Sequence, residues 1–215
     1  MITPRFISFF IALLSCVDIY AQTSSSGPYP DYREEVFMDM DFEPNLLTPE
    51  IPDDLKGAIS DFMVKKAESL KKLGTIDIMR DADIFVINIP SDDLFLPNDT
   101  LLSPYASARL TPIIKLMNDP YMYKVLVAVH CDDTGSESYR EQLTSERLNS
   151  IYDWLMDAID RGLISEDQVI IPFSMGSSDP IMQNDTRKHR YENRRVEFYF
   201  IPGPRLIEKA RNKKL

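Results

Sequence analysis

The run "KVLVAVHC", from Lys124 to Cys131, constrains the fold more than any other stretch of this sequence. Its apolar residues, Val125 to Val129, follow one another without the polar alternation of a half-exposed strand. Such a run is typical of a central strand that is buried on both faces. We therefore predict a sheet with this strand in its interior.

Other segments of the chain predict further strands and the helices between them. The β-branched and aromatic segments "TIDIM", "IFVINIP", "QVIIPFSM" and "RVEFYFI" predict strands, and the first two form a hairpin around "RDAD". One helix is predicted from about Pro104, with Ser103 as its cap. A second begins after a capping box of Ser138 and Glu141 and reaches about Arg161, and "NDTRKHRYENRR" predicts a short polar helix or loop. Strands that alternate with helices predict an α/β sandwich, with helices packed on a sheet.

Residues 1–21 have the features of an export signal. Arg5 precedes an apolar stretch that is too short to span a bilayer, and "IYA" provides a small-residue cleavage site. In a second interpretation, "LLSC" places Cys16 in a sequence that resembles the lipobox of bacterial lipoproteins. We favour cleavage after Ala21, because Leu14 is bulkier than the lipobox usually has there. We expect export, and lipidation of Cys16 stays open.

The remaining chain divides into four segments. Residues 22–52 are rich in Ser, Pro, Gly and acids and predict a flexible N-terminal arm. Residues 53–73 carry one apolar stripe and predict an accessory helix that docks on another element. The folded domain is expected over residues 75–202. Residues 203–215 predict a basic C-terminal tail, which a solvated end explains as well as a partner does.

The composition argues against two classes of protein. Among 215 residues, 24 Lys+Arg face 34 Asp+Glu, so the net charge is -10 and no general basic surface exists for nucleic acid. Only Cys131 remains as a free thiol once Cys16 is removed or lipidated. We therefore expect no nucleic-acid partner and no disulfide framework within the chain.

The stretch "VHCDDTGS" concentrates residues that could serve a metal or a nucleophile. Neighbours on a strand point to opposite faces, so His130, Cys131 and Asp132 do not converge on one ion. His189 is the other histidine, and no CxxC or HxxxH pair supports a site. The same geometry separates Cys131 from a base and Asp132 from Asp133. We expect no metal, no cofactor and no enzymatic activity.

Asp132 and the arginines of the following helix predict a binding pocket instead. A turn that contains Gly135 follows Asp132, and Arg140 and Arg147 share one face of the helix. Such a pocket suits a ligand with both an ammonium, for Asp132, and a carboxylate, for Arg147. The helix N-terminus near Ser138 adds donors for the anion. On these residues alone, a mutual ion pair between Asp132 and Arg147, or solvated arginines, is the simpler explanation.

Several motifs in order resemble the OmpA C-terminal family. "VHCDDTGSESYREQLTSERLNSIYDWL" is similar to the family's Gly-His-Thr-Asp, glycine turn, Asn, Leu-Ser and Arg-Ala pattern. "FSMGSSDPIMQNDTRKHRYENRRVEFYF" resembles its Gly-Glu-x-x-Pro, Asn-x-Thr and Arg-x-x-Asn-Arg-Arg-Val-Glu ending, and "IPSDDLFLPNDTLLSPYASARL" its Leu-Phe segment and first helix. The resemblance covers about residues 75–202. "NRRVE" at this distance from "HCDDTG" is far more specific than either motif alone.

This resemblance implies an OmpA-like α/β sandwich with helices packed on a mixed four-stranded sheet, as in OmpA, MotB and Pal-type domains. It also implies non-covalent binding of peptidoglycan through the diaminopimelate of the stem peptide. Asp132 stands at the position for the diaminopimelate ammonium, Arg147 at that for its carboxylate, and Arg194 at another ligand-contacting position. Arg140 stands where the family usually has an Asn, so its long side chain either adds a salt bridge to the ligand or fills the pocket.

The resemblance also implies supporting positions and a cellular role. The motif residues His130, Thr144, Arg190 and Asn193 are expected to support the site. We expect the protein to lie in the periplasm of a Gram-negative cell and to anchor the outer membrane or an envelope complex to the cell wall. The alternative, favoured by Arg140 and by the accessory helix, is an OmpA-like protein-interaction module that has lost peptidoglycan binding. A homodimer stays open.

Overall fold

A computed structural model gives the structure of the chain and describes residues 27–47 and 49–215. The predicted export signal over residues 1–21 lies outside the described residues, and so does Cys16. Within the two described ranges, no helix has both the length and the apolar character that crossing a membrane requires.

Five strands form one open, mixed sheet. They are β1 (Thr75–Met79), β2 (Ile84–Pro90), β3 (Tyr123–His130), β4 (Ile170–Gly176) and β5 (Arg195–Pro202). Their order is β1-β2-β5-β3-β4, in which β3 and β4 are parallel and all other neighbours are antiparallel. The predicted α/β sandwich is confirmed, but the count of four strands is wrong. The chain returns through a tight hairpin at residues 80–83, so β1 extends the sheet at its edge by a fifth strand.

The central position of β3 explains its unbroken apolar sequence. β3 lies between β5 and β4, and all of its residues are buried. Val125, Val127 and Val129 belong to the main core, whereas Leu126 and Ala128 belong to a second cluster on the opposite face. Both faces of the strand therefore need apolar side chains.

Helices cover the two faces of this sheet. The helices of the described residues are α1 (Glu34–Met38), α2 (Phe42–Leu47), α3 (Lys56–Leu70), α4 (Ala106–Ile114), α5 (Glu137–Asp160), α6 (Arg187–Asn193) and α7 (Pro204–Arg211). α3, α4, α5 and α7 supply buried residues to the main core. The predicted basic tail is therefore helical over much of its length, because Leu206 and Ala210 are buried on one side of α7.

Both predicted helix caps differ from the structure. A turn in which the Ser103 carbonyl accepts from the Ala106 N–H precedes α4, so this helix begins later and has no side-chain cap. α5 is capped by Ser136, whose Oγ accepts from the Tyr139 N–H at 3.2 Å, and not by Ser138. Ser136 has an extended backbone directly after the turn, which makes it the residue before the first helical one.

The N-terminal segment covers the second face of the sheet. α1 and α2 place Phe37 and Leu46 against the second cluster. Lys124 of β3 is fully buried, donates to the carbonyl oxygen of Asn45 and lies 4.4 Å from the centre of the Phe37 ring. The predicted flexible arm is therefore packed over its described residues, because the apolar second face must be shielded from water.

This cover can be tested with two neighbouring leucines. Leu46 is 3% exposed, so Leu46→Ala is expected to lower the free energy of unfolding by about 2–4 kcal/mol. Leu47 is 60% exposed, so Leu47→Ala is expected to change it by less than about 0.5 kcal/mol. Urea unfolding of both variants measures the difference. Equal, small effects would show that the segment does not cover the sheet in solution.

Candidate ligand-binding site

The pairing of three strands gathers the predicted site residues at one end of the sheet. β5 is antiparallel to both β2 and β3, so the residue before β5 lies beside the ends of both strands. Arg195 is opposite Pro90 of β2, and Val196 is opposite Val129 of β3. Arg194 therefore lies between the segments that follow β2 and β3.

The turn after β3 fixes Asp132. This residue is 7% exposed, and its Oδ1 accepts a hydrogen bond from the Thr134 N–H at 2.9 Å. Gly135 has a φ of +89°, and a Cβ at this position would lie 2.7 Å from the ring of Tyr139. The position requires glycine on both counts. The turn predicted from the sequence thus holds Asp132 beside the start of α5.

Arg194 joins Asp132 to a second carboxylate. Its Nη1 lies 2.7 Å from Asp132 Oδ2, while Nε and Nη2 bind the two oxygens of Asp92 at 3.1 and 2.9 Å. The hydrogen bonds that Arg194 donates to Asp92 and Asp132 raise its pKa above the usual value, against the effect of burial. Burial raises the pKa of Asp132, but hydrogen bonds from Thr134 and Arg194 outweigh it and bring that pKa below its ordinary value. Both groups are charged at neutral pH.

Asp92 is absent from the residues predicted for the site. It lies in a short 3-10 turn, Ser91–Asp93, directly after β2. The Ser91 N–H of this turn donates to the Arg194 carbonyl oxygen at 2.9 Å. The available signal was the acidic pair that follows "IFVINIP", because acids at neighbouring strand ends meet at one edge of the sheet. That edge could not be identified until the pairing of β2 with β5 was known.

Arg147 is buried and forms no ion pair with any described residue. It is 4% exposed, its Nε donates to the Asp99 carbonyl oxygen at 2.9 Å, and its guanidinium lies 4.8 Å from the centre of the Phe95 ring. Its Nη1 is buried and has no hydrogen-bond partner in the described chain. Burial lowers the pKa of Arg147, and the nearby Asp92 carboxylate acts in the opposite direction. Asp132 thus pairs with Arg194, and Arg147 is a buried cation without an ion pair in the described part of the chain. We call Asp92, Asp132, Arg147 and Arg194 the charged clamp.

Arg140 bonds to the loop between β3 and α5. Its Nη1 donates to the carbonyl oxygens of Asp133 and Gly135, at 3.3 and 2.6 Å. Its Nε is buried without a partner among the described residues. The sequence leaves open whether Arg140 adds a salt bridge or fills the pocket, and the structure ties its guanidinium to backbone carbonyls instead.

Three of the predicted supporting residues fix the elements around the clamp. Thr144 Oγ1 donates to the Arg140 carbonyl oxygen at 2.9 Å and lies 2.8 Å from Ser174 Oγ, which joins α5 to β4. Asn193 is fully buried and bonds to both the N–H and the carbonyl oxygen of Met182, at 2.9 and 2.7 Å. Arg190 donates to a carbonyl oxygen of the same loop, at Asn184. The bonds of Asn193 and Arg190 hold the loop before α6 against that helix, and Arg194 directly follows the helix.

His130, the fourth supporting residue, belongs to a buried network outside the clamp. Its Nε2 lies 2.9 Å from Glu197 Oε2, and Glu197 also accepts from Arg195 Nε at 2.7 Å and from the Tyr199 hydroxyl. Burial raises the pKa of Glu197, but the interactions with His130, Arg195 and Tyr199 outweigh it and lower that pKa to about 2. The network closes the second face of the sheet behind the clamp.

Burial limits the reactivity of the thiol in "VHCDDTGS". Cys131 is 4% exposed, and burial together with the Asp132 charge raises the pKa of its thiol to about 11. The thiol is therefore protonated at neutral pH and is a poor nucleophile. Across the described parts of the chain, no three His, Cys, Asp or Glu side chains are arranged to hold a metal ion.

Glu197 is expected to make stability fall in acid. Because its pKa is lowered to about 2 in the folded chain, its stabilising contribution is present above its unfolded pKa and is lost as the pH falls toward 2. The contribution is about 3 kcal/mol. Urea unfolding measures the free energy of unfolding of the wild type and of Glu197→Gln between pH 5 and pH 2. The difference between the two values should shrink by about 3 kcal/mol as the pH falls. A constant gap would contradict the lowered pKa.

The unpaired charge of Arg147 is expected to contribute little to stability. Arg147→Met removes a buried cation that has no ion-pair partner within residues 27–47 and 49–215, so the free energy of unfolding should change by less than about 1 kcal/mol. Arg195→Met removes a partner of the buried Glu197 and should cost about 3–5 kcal/mol. Urea unfolding at neutral pH compares these two buried arginines. Equal, large losses would mean that the protein itself satisfies Arg147.

The fold is a mixed α/β sandwich with a charged cluster at one end of its sheet. The sequence model of the OmpA family matches residues 94–194 of this chain. The YiaD protein of Escherichia coli K12, named as a probable lipoprotein, is 26% identical over 152 residues, which cover 69% of this chain and 67% of YiaD.

Two solved structures are similar to this chain, and the first of them shares its fold. A MotB-like protein from Desulfovibrio vulgaris superposes with a TM-score of 0.58 at 19% identity, over 69% of this chain and 96% of that one. The cell wall anchor of the T6SS from Pseudomonas aeruginosa gives a TM-score of 0.49 at 19% identity, over 67% and 96% of the two chains. At such identity, the likeness to the MotB-like protein shows a shared fold alone.

Proposed function

We propose that this chain binds peptidoglycan without catalysing a reaction, through the diaminopimelate of the stem peptide, and so anchors the outer membrane or an envelope complex to the cell wall. The observation that carries this proposal is the state of Arg147. A guanidinium that is 4% exposed, with an unbonded Nη1 and no ion pair among the described residues, is costly unless an anion binds it. A ligand carboxylate supplies that anion.

The other half of the clamp suits an ammonium group. Asp132 keeps its charge because Thr134 and Arg194 stabilise the carboxylate. A carboxylate offers about four lone pairs, so Asp132 can accept further hydrogen bonds beside these two. The end of diaminopimelate that carries an ammonium and a carboxylate on one carbon can therefore bind Asp132 and Arg147 together.

The bridge to Asp92 keeps Arg194 from neutralising Asp132 completely. Two of the three hydrogen bonds of the Arg194 guanidinium go to Asp92, and one goes to Asp132. An incoming ammonium thus shares Asp132 with a single guanidinium nitrogen. The first turn of α5, next to the loop that holds Asp132, adds backbone N–H donors for an anion.

The match of residues 94–194 to the OmpA family model supports this function. The resemblance of the sequence motifs to that family implies diaminopimelate binding by Asp132, Arg147 and Arg194. We place the protein in the periplasm, associated with the outer membrane. The likeness to YiaD supports a lipid on Cys16 as the tether, beside the alternative of cleavage after Ala21.

A pull-down on isolated cell-wall sacculi tests the proposal. The wild type should sediment with sacculi, and soluble diaminopimelate should release it. Asp132→Ala should weaken binding at least about tenfold, because the ligand ammonium loses its buried carboxylate. Asp133→Ala is the matched control, since this neighbouring carboxylate is exposed and lies outside the clamp.

Two outcomes would count against the clamp. Sedimentation that persists in Asp132→Ala, or that soluble diaminopimelate does not reduce, would place binding elsewhere. A wild type that ignores sacculi but captures an envelope protein would favour the interaction module, for which Arg140 on the loop carbonyls is the motivating feature.

A further inference from the structure

A cleft of about 360 Å³ lies directly beside the charged clamp. Asp92 and Phe95 line this cleft and also belong to the surroundings of the clamp. Asp92 binds Arg194, and Phe95 lies under the guanidinium of Arg147. The cleft and the clamp are therefore parts of one continuous surface.

The lining of the cleft combines an aromatic ring with charged and hydroxyl groups. Tyr105 is 80% exposed, and Leu96 beside it is 56% exposed. Arg109 Nη2 lies 2.8 Å from Asp93 Oδ2, and both residues line the cleft together with Ser103. An open aromatic face next to fixed donors and acceptors suits a ligand with a C–H face and polar groups at its edge.

Exposed apolar side chains are concentrated around the clamp. Of the thirteen large hydrophobic residues that are exposed in the described chain, seven lie in the segments that supply or position the clamp. They are Leu96, Leu101, Tyr105, Tyr139, Ile181, Met182 and Tyr191. Single exposed apolar residues are ordinary, but such a concentration marks a face that binds another molecule.

We propose that the cleft is a second subsite for the same ligand and binds an N-acetylated sugar of the glycan strand, stacked on Tyr105. This inference rests on the proposed function. The C–H face of a pyranose packs on an electron-rich aromatic face. Its hydroxyl and acetamido groups can bond to Asp92, Arg109 and Ser103 at the cleft wall.

The distances along the ligand agree with this assignment. In peptidoglycan, two residues separate diaminopimelate from the sugar, an extended span of roughly 7–11 Å. One guanidinium, that of Arg194, separates Asp132 from Asp92 at the edge of the cleft. One muropeptide can therefore span from the clamp to the edge of the cleft at Asp92.

Titration calorimetry of the full chain with three soluble probes tests the subsite. The probes are the tripeptide L-alanyl-γ-D-glutamyl-diaminopimelate, the same tripeptide carrying N-acetylglucosaminyl-N-acetylmuramic acid, and the disaccharide alone. The disaccharide should tighten binding of the tripeptide about three- to tenfold, and should bind weakly by itself. Tyr105→Ala should abolish this gain and leave the affinity for the bare tripeptide unchanged.

Two further variants are controls. One tests whether the aromatic face of Tyr105 is what matters, and the other tests whether removing any exposed apolar side chain has the same effect. Tyr105→Phe should keep the gain, because the aromatic face remains. Leu163→Ala should also keep it, because Leu163 is 50% exposed but follows the opposite end of α5. Equal wild-type affinities for the two peptide probes, or an equal loss for both in Tyr105→Ala, would overturn the sugar subsite and leave the clamp intact. If the wild type binds neither peptide probe, the proposed function fails, and the subsite fails with it.

Discussion

The antiparallel pairing of β5 with both β2 and β3 is the constraint on which the clamp depends. It brings the residues after two strands, Asp92 and Asp132, to either side of the residue before the third, Arg194. No local feature of "SDD", "HCDD" or "NRR" specifies this meeting. A shift of one residue in the register would turn Arg194 to the other face of the sheet and dissolve the bridge.

The buried cations of this chain differ in how the protein satisfies them. Arg195 is bonded to Glu197, and Lys124 donates to Asn45, so these two charges hold parts of the fold together. Arg147 donates to the Asp99 carbonyl oxygen and lies over the Phe95 ring, but it forms no ion pair with a carboxylate among the described residues. In the proposed function, this guanidinium binds the carboxylate of the ligand, and its burial without an ion pair in the described chain is a cost in stability that the rest of the fold offsets.

The sequence predicts the parts of this structure that have a long local pattern. The apolar run of β3, the stripe of α5 and the glycine turn after Asp132 each reflect one period or one backbone angle. The arm escapes such prediction, because its helices are five and six residues long and are stabilised by contacts with distant strands. Asp92 could not be predicted from the sequence for a related reason, since only the order of the strands brings Asp92 to Arg194.

The packed arm determines how a mechanical load would cross the protein. The ring of Tyr29 meets the ring of Tyr121 edge to face, with 5.1 Å between the ring centres, just before β3 begins, whereas Asp132 follows the opposite end of that strand. In the proposed anchoring role, tension between Tyr29 and a ligand at Asp132 would run lengthwise along β3, over roughly 25 Å. The ladders to β5 and β4 would then be sheared all at once instead of being unzipped bond by bond, a geometry well suited to an anchor under strain.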